Sequence, residues 1–461
     1  MGISTQILGL IASLAFLILT HELGHFFFAR LFKTRVDKFY LFFNPGFSII
    51  RMKKYNNRYH LSFFSGKSPE EWAEHPEATE WGIGWLPLGG YCAINGMVDE
   101  TKKAGDLPAE QQPYEFRSKP AWQRLFIILG GVLVNFISAM ILYAAVLFTW
   151  GESYIPMEKA KYGLQFADVA KEIGFENGDK IVAVDGKPMK TVGDFTFAIL
   201  LDKPQEVTLL RQGQEMSIEI PEDFAQSLLR AGVKGFCEYN FPFVIDSVMS
   251  DEPACIAEMQ KGDSLIGVND TLMFSFMDFQ QIFARNKSME VKLNFYRGDS
   301  LMSQQVTLTD EGKMGVAPKS PYDYLEVKTV NYSFLESIPA GISYGLGKLA
   351  DYVKQFRLFK TKEGVSQLGG FGTIGSIFPK TWDWTKFWSL TAFLAIALAF
   401  MNFLPIPALD GGYILFILIE LITRRKPSDK FIGYANTVGF ALLILLMLYA
   451  NGMDVFRFLG K

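Results

Sequence analysis

Cysteine and net charge are both scarce in this sequence. The 461 residues include three cysteines and carry a formal net charge of −3. Cysteines at positions 92, 237 and 255 are too few and too scattered for a disulfide framework or a thiolate metal cluster. A bond between Cys237 and Cys255 and a pair of small buried thiols both stay open. Long basic runs with interleaved aromatics are absent too, so no nucleic acid is expected as a partner.

Hydrophobic residues are abundant instead, at 49% of the chain with 42 phenylalanines. Four uncharged stretches, 2–20, 125–151, 387–409 and 431–453, are long enough to cross about 30 Å of hydrocarbon. The first has no basic start and no small-residue cleavage site, so it is not expected to be a cleaved signal peptide. The composition predicts a polytopic α-helical protein with four transmembrane helices in the lipid bilayer.

Basic residues close to the ends of the spans lie mainly in two of the connecting loops. The loops between the first and second spans and between the third and fourth are therefore expected in the cytoplasm, by the positive-inside rule. Both termini and the long middle region would then be extracytoplasmic, although two basic residues near the C-terminus reduce the contrast. The residues that carry this argument are Arg30, Lys33, Arg35, Lys38, Arg117, Lys119, Arg124, Arg424, Arg425, Lys426 and Lys430.

The middle region repeats itself. "NGDKIVAVDGKPMKTVGDF" from Asn177 aligns without a gap with "KGDSLIGVNDTLMFSFMDF" from Lys261, and each copy is followed by a strand-like hairpin signal. A period of about 80 residues predicts two copies of a small β-rich domain. The pattern resembles PDZ domains, which implies that a peptide or chain terminus adds a strand to a sheet edge. Two spacer domains without a ligand are the alternative, and Asp270 in place of Gly186 suggests different grooves.

The first span contains a pattern with chemical meaning, His21-Glu22-Leu23-Gly24-His25. On a helix, residues four apart share a face, so two imidazoles can bind one zinc ion while the carboxylate acts as general base. An ionisable side chain at the centre of a spanning helix costs about 2.5–3.5 kcal/mol, which disfavours chance placement. The alternative is a set of hydrogen-bonded side chains at the membrane boundary.

Asp410 is the best candidate for a third ligand. It is the only charged residue between Lys386 and Glu420, and "MNFLPIPALDGGYILF" around it is interrupted by Pro405 and Pro407. The backbone groups freed by the prolines must be buried against protein or a watery cavity. The two remaining histidines, at 60 and 75, lie in a polar loop and are less suited to this role.

These motifs together resemble the site-2 protease family of intramembrane zinc metalloproteases. The resemblance rests on H-E-x-x-H, on N-x-x-P-x-P-x-L-D-G-G from Asn402, on the tandem PDZ-like repeats, and on "LPLGGY" at 86–91, "GGVLVN" at 130–135 and "LGGFGTI" at 368–374. It implies that zinc is held by His21, His25 and Asp410. It also implies that Glu22 is the catalytic base and that Asn402 holds the substrate or the developing oxyanion.

Asn135 in the second span is a less certain match to the family. The family commonly has proline where this sequence has Val132. Asn135 is therefore predicted to bind substrate, with a helix–helix hydrogen bond as an equally good interpretation.

A glycine-punctuated segment, "EWGIGWLPLGGYCAING" at 80–96, follows the first span. In the resembling family this loop forms a membrane-associated β-hairpin that receives the substrate as an added strand. Gly89 and Gly90 are accordingly predicted to bind substrate, and Pro87 suits an edge strand. An ordinary cytoplasmic hairpin is the alternative.

The predicted organisation follows from these segments. Apolar residues at helical spacing between Phe334 and Phe356 also predict an amphipathic helix, expected to lie on the membrane surface more readily than in a core. The predicted segments are the first span (1–31), a cytoplasmic loop (32–121), the second span (122–151), PDZ-like domains (152–231 and 232–320), a linker (321–386), the third span (387–411), a cytoplasmic link (412–430), the fourth span (431–454) and a tail (455–461).

The sequence thus predicts an intramembrane zinc protease of a bacterial inner membrane. Its expected substrates are single-pass membrane proteins cut within their transmembrane segments, such as an anti-sigma factor or a signal-peptide remnant after a first cleavage. Two other readings remain: a non-enzymatic PDZ membrane scaffold, and a membrane-anchored zinc protease that cuts soluble proteins. About one zinc per chain, lost when His21 or Asp410 is replaced, separates the enzyme from the scaffold.

Overall fold

The structure is a computed structural model that describes residues 2–97, 110–231, 236–250, 252–356, 361, 364–365 and 368–459. It contains two compact units. One is formed by the chain up to Gly151, Asn331–Phe356 and the chain from Val365 onwards, and the other by Glu152–Val330.

Helices dominate the first unit. Within the part of the chain that the structure describes, four helices are long and apolar enough to cross a membrane: α1, α2, α10 and residues 430–459 of α12. Each coincides with a predicted span. The sequence-based prediction of a membrane protein is therefore confirmed. With numbering along the whole chain, the helices of this unit are α1 (Gly2–Leu31), α2 (Ala121–Trp150), α8 (Phe334–Gln355), α9 (Phe371–Ile377), α10 (Trp384–Phe403), α11 (Asp410–Thr423) and α12 (Asp429–Leu459).

The third predicted span needs a correction, because helix α10 ends at Phe403 and does not continue to 411. Pro405 and Pro407 lack the N–H groups that would extend it, and Ala408 adopts a left-handed φ of 74°. A new helix, α11, starts at Asp410 and runs through most of the predicted link at 412–430. The apolar run after Asp410 forms this extra helix because its buried side chains pack against α2.

A five-stranded sheet lies between α1 and α2 along the chain. Its order is β3-β2-β4-β1-β5, with β1 parallel to β4 and antiparallel to β5. The predicted hairpin at 80–96 is therefore wrong, because β1 lies between β4 and β5. Alternating residues identify strands but not their partners, and the paired hairpin is β2–β3 instead. The strands are β1 (Val36–Leu41), β2 (Ser48–Tyr55), β3 (Arg58–Ser65), β4 (Glu80–Ile83) and β5 (Tyr91–Ile94).

Helix α8 forms where the sequence predicts it, and Ser333 caps it in a capping box with Glu336. It runs antiparallel to α2 instead of standing apart from the spans. The Phe334 ring contacts Phe148 near the end of α2, and a Cβ at Gly341 would meet the backbone of Ala144. The glycine face of α8 therefore packs closely on α2, which the expected position flat on the membrane surface does not describe.

The second unit contains two similar β-rich modules. In the first, the sheet order is β11-β10-β8-β9, and β7 pairs with β12; in the second, the order is β15-β14-β16-β17, and β13 pairs with β18. The strands of the first module are β7 (Leu164–Phe166), β8 (Lys180–Val184), β9 (Lys187–Pro188), β10 (Glu206–Arg211), β11 (Gln214–Glu219) and β12 (Cys237–Tyr239). Those of the second are β13 (Ile245–Val248), β14 (Ser264–Val268), β15 (Thr271–Leu272), β16 (Glu290–Arg297), β17 (Ser300–Thr307) and β18 (Val316–Pro318).

The remaining elements of this unit are short. A further strand pair, β6 with β19, joins residues near the two ends of the unit. These elements are β6 (Glu152–Tyr154), β19 (Lys328–Val330), α3 (Asp168–Lys171), α4 (Val192–Phe197), α5 (Phe224–Arg230), α6 (Pro253–Ile256) and α7 (Phe276–Arg285).

The predicted boundary between the repeats, at 231/232, is too early. Strand β12 pairs with β7, and Phe236 and Cys237 belong to the first hydrophobic core. The last strand of this module returns to its first strand, a pairing that local sequence does not reveal. Residues 232–235, next to the predicted boundary, lie outside the described residues.

Each module contains the same ion pair, between a buried aspartate and a partly exposed arginine. Arg211 donates from Nε and Nη2 to both carboxylate oxygens of Asp179, at 2.8 and 2.7 Å. Arg297 does the same to Asp263, again at 2.8 and 2.7 Å. The aspartates are those of the repeated Gly-Asp motif, so the repeat predicted from sequence also has a common internal architecture.

Cys92, Cys237 and Cys255 are not joined by disulfide bonds. Cys237 is buried in the first module, and burial raises its pKa to about 12. Cys255 is exposed. Neither expectation from the sequence is fully correct, since the two are not bonded and only one is buried.

Candidate metal centre

Helix α1 places the two histidines of the H-E-x-x-H motif on one face, as the spacing predicts. Their Nε2 atoms are 3.2 Å apart, and both rings are largely buried. Helix α2 approaches this turn so closely that a Cβ at Gly24 would meet the backbone of Gly130. The site therefore forms where two spanning helices cross at glycine.

Asp410, far away in sequence, completes the group. Its Oδ2 lies 3.2 Å from His21 Nε2 and 3.4 Å from His25 Nε2. The chain reaches this position because the proline break after α10 turns the backbone and α11 starts at the aspartate itself. Candidate ligand atoms of the three residues all lie within 4.8 Å of one another.

The geometry fits a tetrahedral metal ion. Zinc bonds to nitrogen and oxygen are about 2.0–2.2 Å long, so neighbouring ligand atoms of a tetrahedron are about 3.3 Å apart. The three separations of 3.2, 3.2 and 3.4 Å agree with this edge length. Asp410 Oδ2 is also buried with no hydrogen-bond partner among the described residues. Lone pairs facing one another at this distance repel unless a cation lies between them, so these residues suit zinc.

A backbone carbonyl fixes the ring of His25. Its Nδ1 lies 2.9 Å from the carbonyl oxygen of Ile127 on α2. A carbonyl only accepts hydrogen bonds, so Nδ1 carries the proton and the lone pair of Nε2 points towards the other ligand atoms.

Glu22 lies beside these rings at the edge of the five-stranded sheet. Its carboxylate accepts a hydrogen bond from the backbone amide of Cys92 in β5. Strand β5 pairs only with β1 within the described sheet, so its other edge faces the carboxylate. The candidate base and the outer edge of the sheet are thereby neighbours.

The structure places the remaining predicted site residues at varying depths. Asn402 lies half-buried, one residue before the end of α10. Asn135 is fully buried, and its amide lies between the Thr20 hydroxyl and His21 Nδ1. Asn135 therefore contacts a candidate metal ligand. Its substrate-binding role stays a prediction, as does that of Asn402.

Gly89 and Gly90 lie in the segment that connects β4 to β5. A Cβ at Gly90 would lie 2.5 Å from the Tyr40 carbonyl oxygen and 2.6 Å from Ile18 of α1, and one at Gly89 would lie 2.5 Å from the Phe43 ring. Both positions need glycine for close packing. Their predicted contact with substrate is a separate question from this packing role.

Two features of the site escaped the sequence reasoning. Gly131 leaves room for both rings, since a Cβ there would lie 2.5 Å from His25 Nε2. The Ile127 carbonyl is a backbone group, so its contact with His25 cannot be predicted from a pattern of side chains. The "GGVLVN" motif signalled close packing in α2, but only the helix crossing shows what the glycines face.

These features define a class: a membrane-embedded metallopeptidase whose two-histidine helix is completed by a distant aspartate. The chain belongs to peptidase family M50, whose model matches residues 9–68 and 63–446. The sequence-based prediction of an intramembrane zinc metalloprotease of the site-2 type is confirmed by this membership.

Curated relatives match along almost their whole length. A Thermotoga maritima protein named "Putative zinc metalloprotease" is 25% identical over 96% of this chain and 97% of its own. The Regulator of sigma E protease of Haemophilus influenzae is 24% identical over 97% of this chain and 98% of its own. Among solved structures, the PDZ domain of an SdrC-like protein from Listeria monocytogenes is 23% identical and covers 18% of this chain and 94% of that domain, with a TM-score of 0.16.

Proposed function

We propose that this protein hydrolyses peptide bonds inside the transmembrane segments of other membrane proteins, with zinc held by His21, His25 and Asp410. The observation that carries the proposal is the convergence of three ligand atoms at 3.2–3.4 Å, between helices long enough to span a bilayer. A site at that position is more accessible to membrane-embedded segments than to soluble proteins.

The reaction divides among a few groups. Zinc, when bound, polarises the scissile carbonyl and lowers the pKa of the attacking water. The Glu22 carboxylate takes the proton of that water and later delivers it to the leaving amine. The Asn402 side-chain amide donates to the carbonyl oxygen as negative charge develops on it. The Cys92 amide holds the Glu22 carboxylate in place for both proton transfers.

The outer edge of β5, which does not pair with another strand of the described sheet, is the proposed substrate platform. A helical peptide bond is protected by its own hydrogen bonds, so a substrate must be unwound, and a strand edge replaces the lost backbone bonds. Because β5 borders Glu22, a segment added there lies beside the candidate base. Gly89 and Gly90, directly before β5, give the segment access.

The orientation is proposed from charge. The basic loops containing the five-stranded sheet and the segment after α11 lie in the cytoplasm of an inner-membrane protein, and the two β-rich modules lie outside. There the modules act as PDZ-like domains that bind a peptide or a chain terminus. They select membrane stubs left by an earlier cut, such as a trimmed anti-sigma factor or a signal-peptide remnant.

Comparison of the wild type with Glu22→Gln tests the enzymatic proposal. The purified proteins are incubated in detergent with a transmembrane peptide and with a soluble casein-like protein. We expect cleavage of the transmembrane peptide by the wild type only, because glutamine cannot take up the proton. Equal product from both proteins would remove Glu22 from catalysis, and faster cleavage of the soluble protein would favour a surface protease.

Metal analysis distinguishes the enzyme from a scaffold. We expect about one zinc per chain in the wild type and in Glu22→Gln, and loss of zinc in His21→Ala and Asp410→Ala. A wild-type protein that binds no zinc would instead favour a non-enzymatic PDZ scaffold.

A further inference from the structure

Asn135 lies at the centre of a small buried network between α1 and α2. The structure has its amide oxygen 2.8 Å from the Thr20 hydroxyl and its amide nitrogen 3.4 Å from His21 Nδ1. Asn135 is 0% exposed. The Thr20 hydroxyl is also 3.0 Å from the carbonyl oxygens of Phe16 and Leu17. The hydrogen bonds of the buried Asn135 amide are therefore made to its protein neighbours.

Proton counting fixes the direction of these hydrogen bonds. A hydroxyl has one proton and a neutral imidazole has one N–H. If the amide nitrogen faced His21, Nδ1 would have to accept, and the ring proton would sit on Nε2. That atom points at His25 Nε2 and Asp410 Oδ2. A proton there would occupy the lone pair that a metal needs.

The opposite orientation satisfies every group. The Thr20 hydroxyl donates to a carbonyl of its own helix, the Asn135 amide nitrogen donates to the Thr20 oxygen, and His21 Nδ1–H donates to the Asn135 oxygen. Because the two ends of an amide have nearly the same shape, the partners decide which end faces which group. The lone pair of His21 Nε2 is then free for the metal.

We propose that Asn135 is a positioning residue: its side-chain oxygen accepts the Nδ1 proton of His21 and so selects the metal-binding tautomer, with Thr20 orienting the amide. This role parallels that of the Ile127 carbonyl at His25 Nδ1. Both ligating rings are then held by acceptors on α2. Such outer partners fix ring orientation and tautomer in metal sites. The proposal rests on the proposed zinc site and assigns Asn135 a role other than substrate contact.

The test measures zinc affinity, by competition with a chelator, in the purified full-length protein. Asn135→Leu removes the acceptor and should weaken zinc binding about 10–100-fold. Asn135→Asp offers only acceptor oxygens, so it should bind zinc within a few-fold of the wild type. If Asn135 acted as a donor or only joined the helices, aspartate would lose as much affinity as leucine, and the proposal would be overturned.

A second pair of variants avoids the buried carboxylate. Thr20→Val removes the group that orients the amide and should weaken zinc binding several-fold. Thr391→Val is the matched control: Thr391 is buried, and its hydroxyl donates to the Phe387 carbonyl four residues earlier. It should leave zinc affinity unchanged. Equal affinity in Thr20→Val and Thr391→Val would contradict the proposed orientation.

The two levels of the argument fail separately. If the wild type binds zinc through His21 and Asp410 but Asn135→Leu binds it equally well, the positioning role is wrong and the zinc site stands. If the wild type binds no zinc, the proposed function fails first. Cobalt substitution adds a readout independent of activity, because Asn135→Asp should keep the visible spectrum of wild-type tetrahedral cobalt, whereas a displaced His21 ring should change it.

Discussion

Single side chains set the chemistry of this protein because a buried polar atom must have a partner. The Nε2 atoms of His21 and His25 and the Oδ2 of Asp410 face one another at 3.2–3.4 Å. The Nδ1 atoms of the two rings face polar groups of α2. At this scale the smallest residues matter as much as the ligands, since Gly131 leaves the space that the rings occupy.

Replacement of Gly131 by alanine should therefore disable the metal site. The new Cβ would lie 2.5 Å from His25 Nε2 and 2.7 Å from His21 Cε1, so the rings must move. We expect zinc affinity, measured by chelator competition, to fall at least about 10-fold, with peptidase activity lost. Gly433→Ala is the control, because a Cβ there meets no atom within 4 Å. A Gly131→Ala protein with normal zinc affinity would show that the helix crossing is looser than the structure indicates.

The ion pairs of the two modules make a second prediction at this scale. Burial alone would raise the pKa of Asp263, but hydrogen bonds from Arg297 and the Gln260 amide hold it below its usual value. Arg297→Met leaves the buried carboxylate without its cation and should destabilise the module by about 3 kcal/mol. Hydrogen exchange of β14 and β16 measures the loss.

Lys261→Met is the matched control, since the Lys261–Asp246 pair is exposed and should contribute little. Because the pKa of Asp263 is lowered by folding, its stabilisation is present at neutral pH and is lost as pH falls through the folded-state pKa. If hydrogen exchange in Arg297→Met matched that of Lys261→Met, the Arg297–Asp263 ion pair would not contribute to the stability of the module.

Helices and strands differ in how well local sequence describes them. The spans follow from long apolar runs, and α8 follows from its periodicity and its cap. Their partners do not follow: α8 packs on α2 through Gly341 and Gly345, while its apolar side chains such as Leu335 and Leu346 stay exposed. An exposed apolar stripe of this kind suits lipid contact.

Gly341→Leu should separate α8 from α2. A side chain there would meet the backbone and Cβ of Ala144. The Cα of Ala144 lies 2.6 Å from the position of the new Cβ. Overpacking of this kind costs about 1–3 kcal/mol, which should appear as faster hydrogen exchange in α8. Gly347→Leu, on an open face of the same helix with no atom within 4 Å, should exchange like the wild type. Equal exchange in the two variants would mean that α8 does not depend on this contact.

At the scale of the whole molecule, a membrane-embedded site and two β-rich modules are joined in one chain. The modules have separate hydrophobic cores, and each contains the same ion pair to a buried aspartate. Under the proposed function, the helices hold the cleavage site and the modules select the substrate.

Deletion of residues 160–320 should relax substrate choice. Without the modules, a full-length single-pass substrate should be cleaved as well as its trimmed stub, because the proposed filter for size or for a new chain terminus is gone. Cleavage of both substrates by wild-type and deleted proteins in membranes measures the effect, and zinc content verifies that the metal site is intact. Unchanged discrimination in a zinc-loaded deletion protein would rule out the filter.

The sequence by itself determined the elements and the chemical groups. Four spans, the H-E-x-x-H helix, the repeated Gly-Asp modules and the importance of Asp410 all follow from local composition, spacing and motif, because helix geometry and the cost of charge in lipid act within a few residues of the chain. The interruption at Pro405 and Pro407 was also visible, although the extra helix after it was not.

Only the tertiary structure decided which groups meet. It places β1 between the strands of the predicted hairpin, returns β12 to the first module, lays α8 along α2 and turns Asn135 towards His21. Each of these contacts joins residues far apart in the chain, and their energies come from burial and from satisfying polar groups in three dimensions. A local pattern does not identify such partners. The candidate metal ligands could therefore be named from the sequence, but the residues that surround them could not.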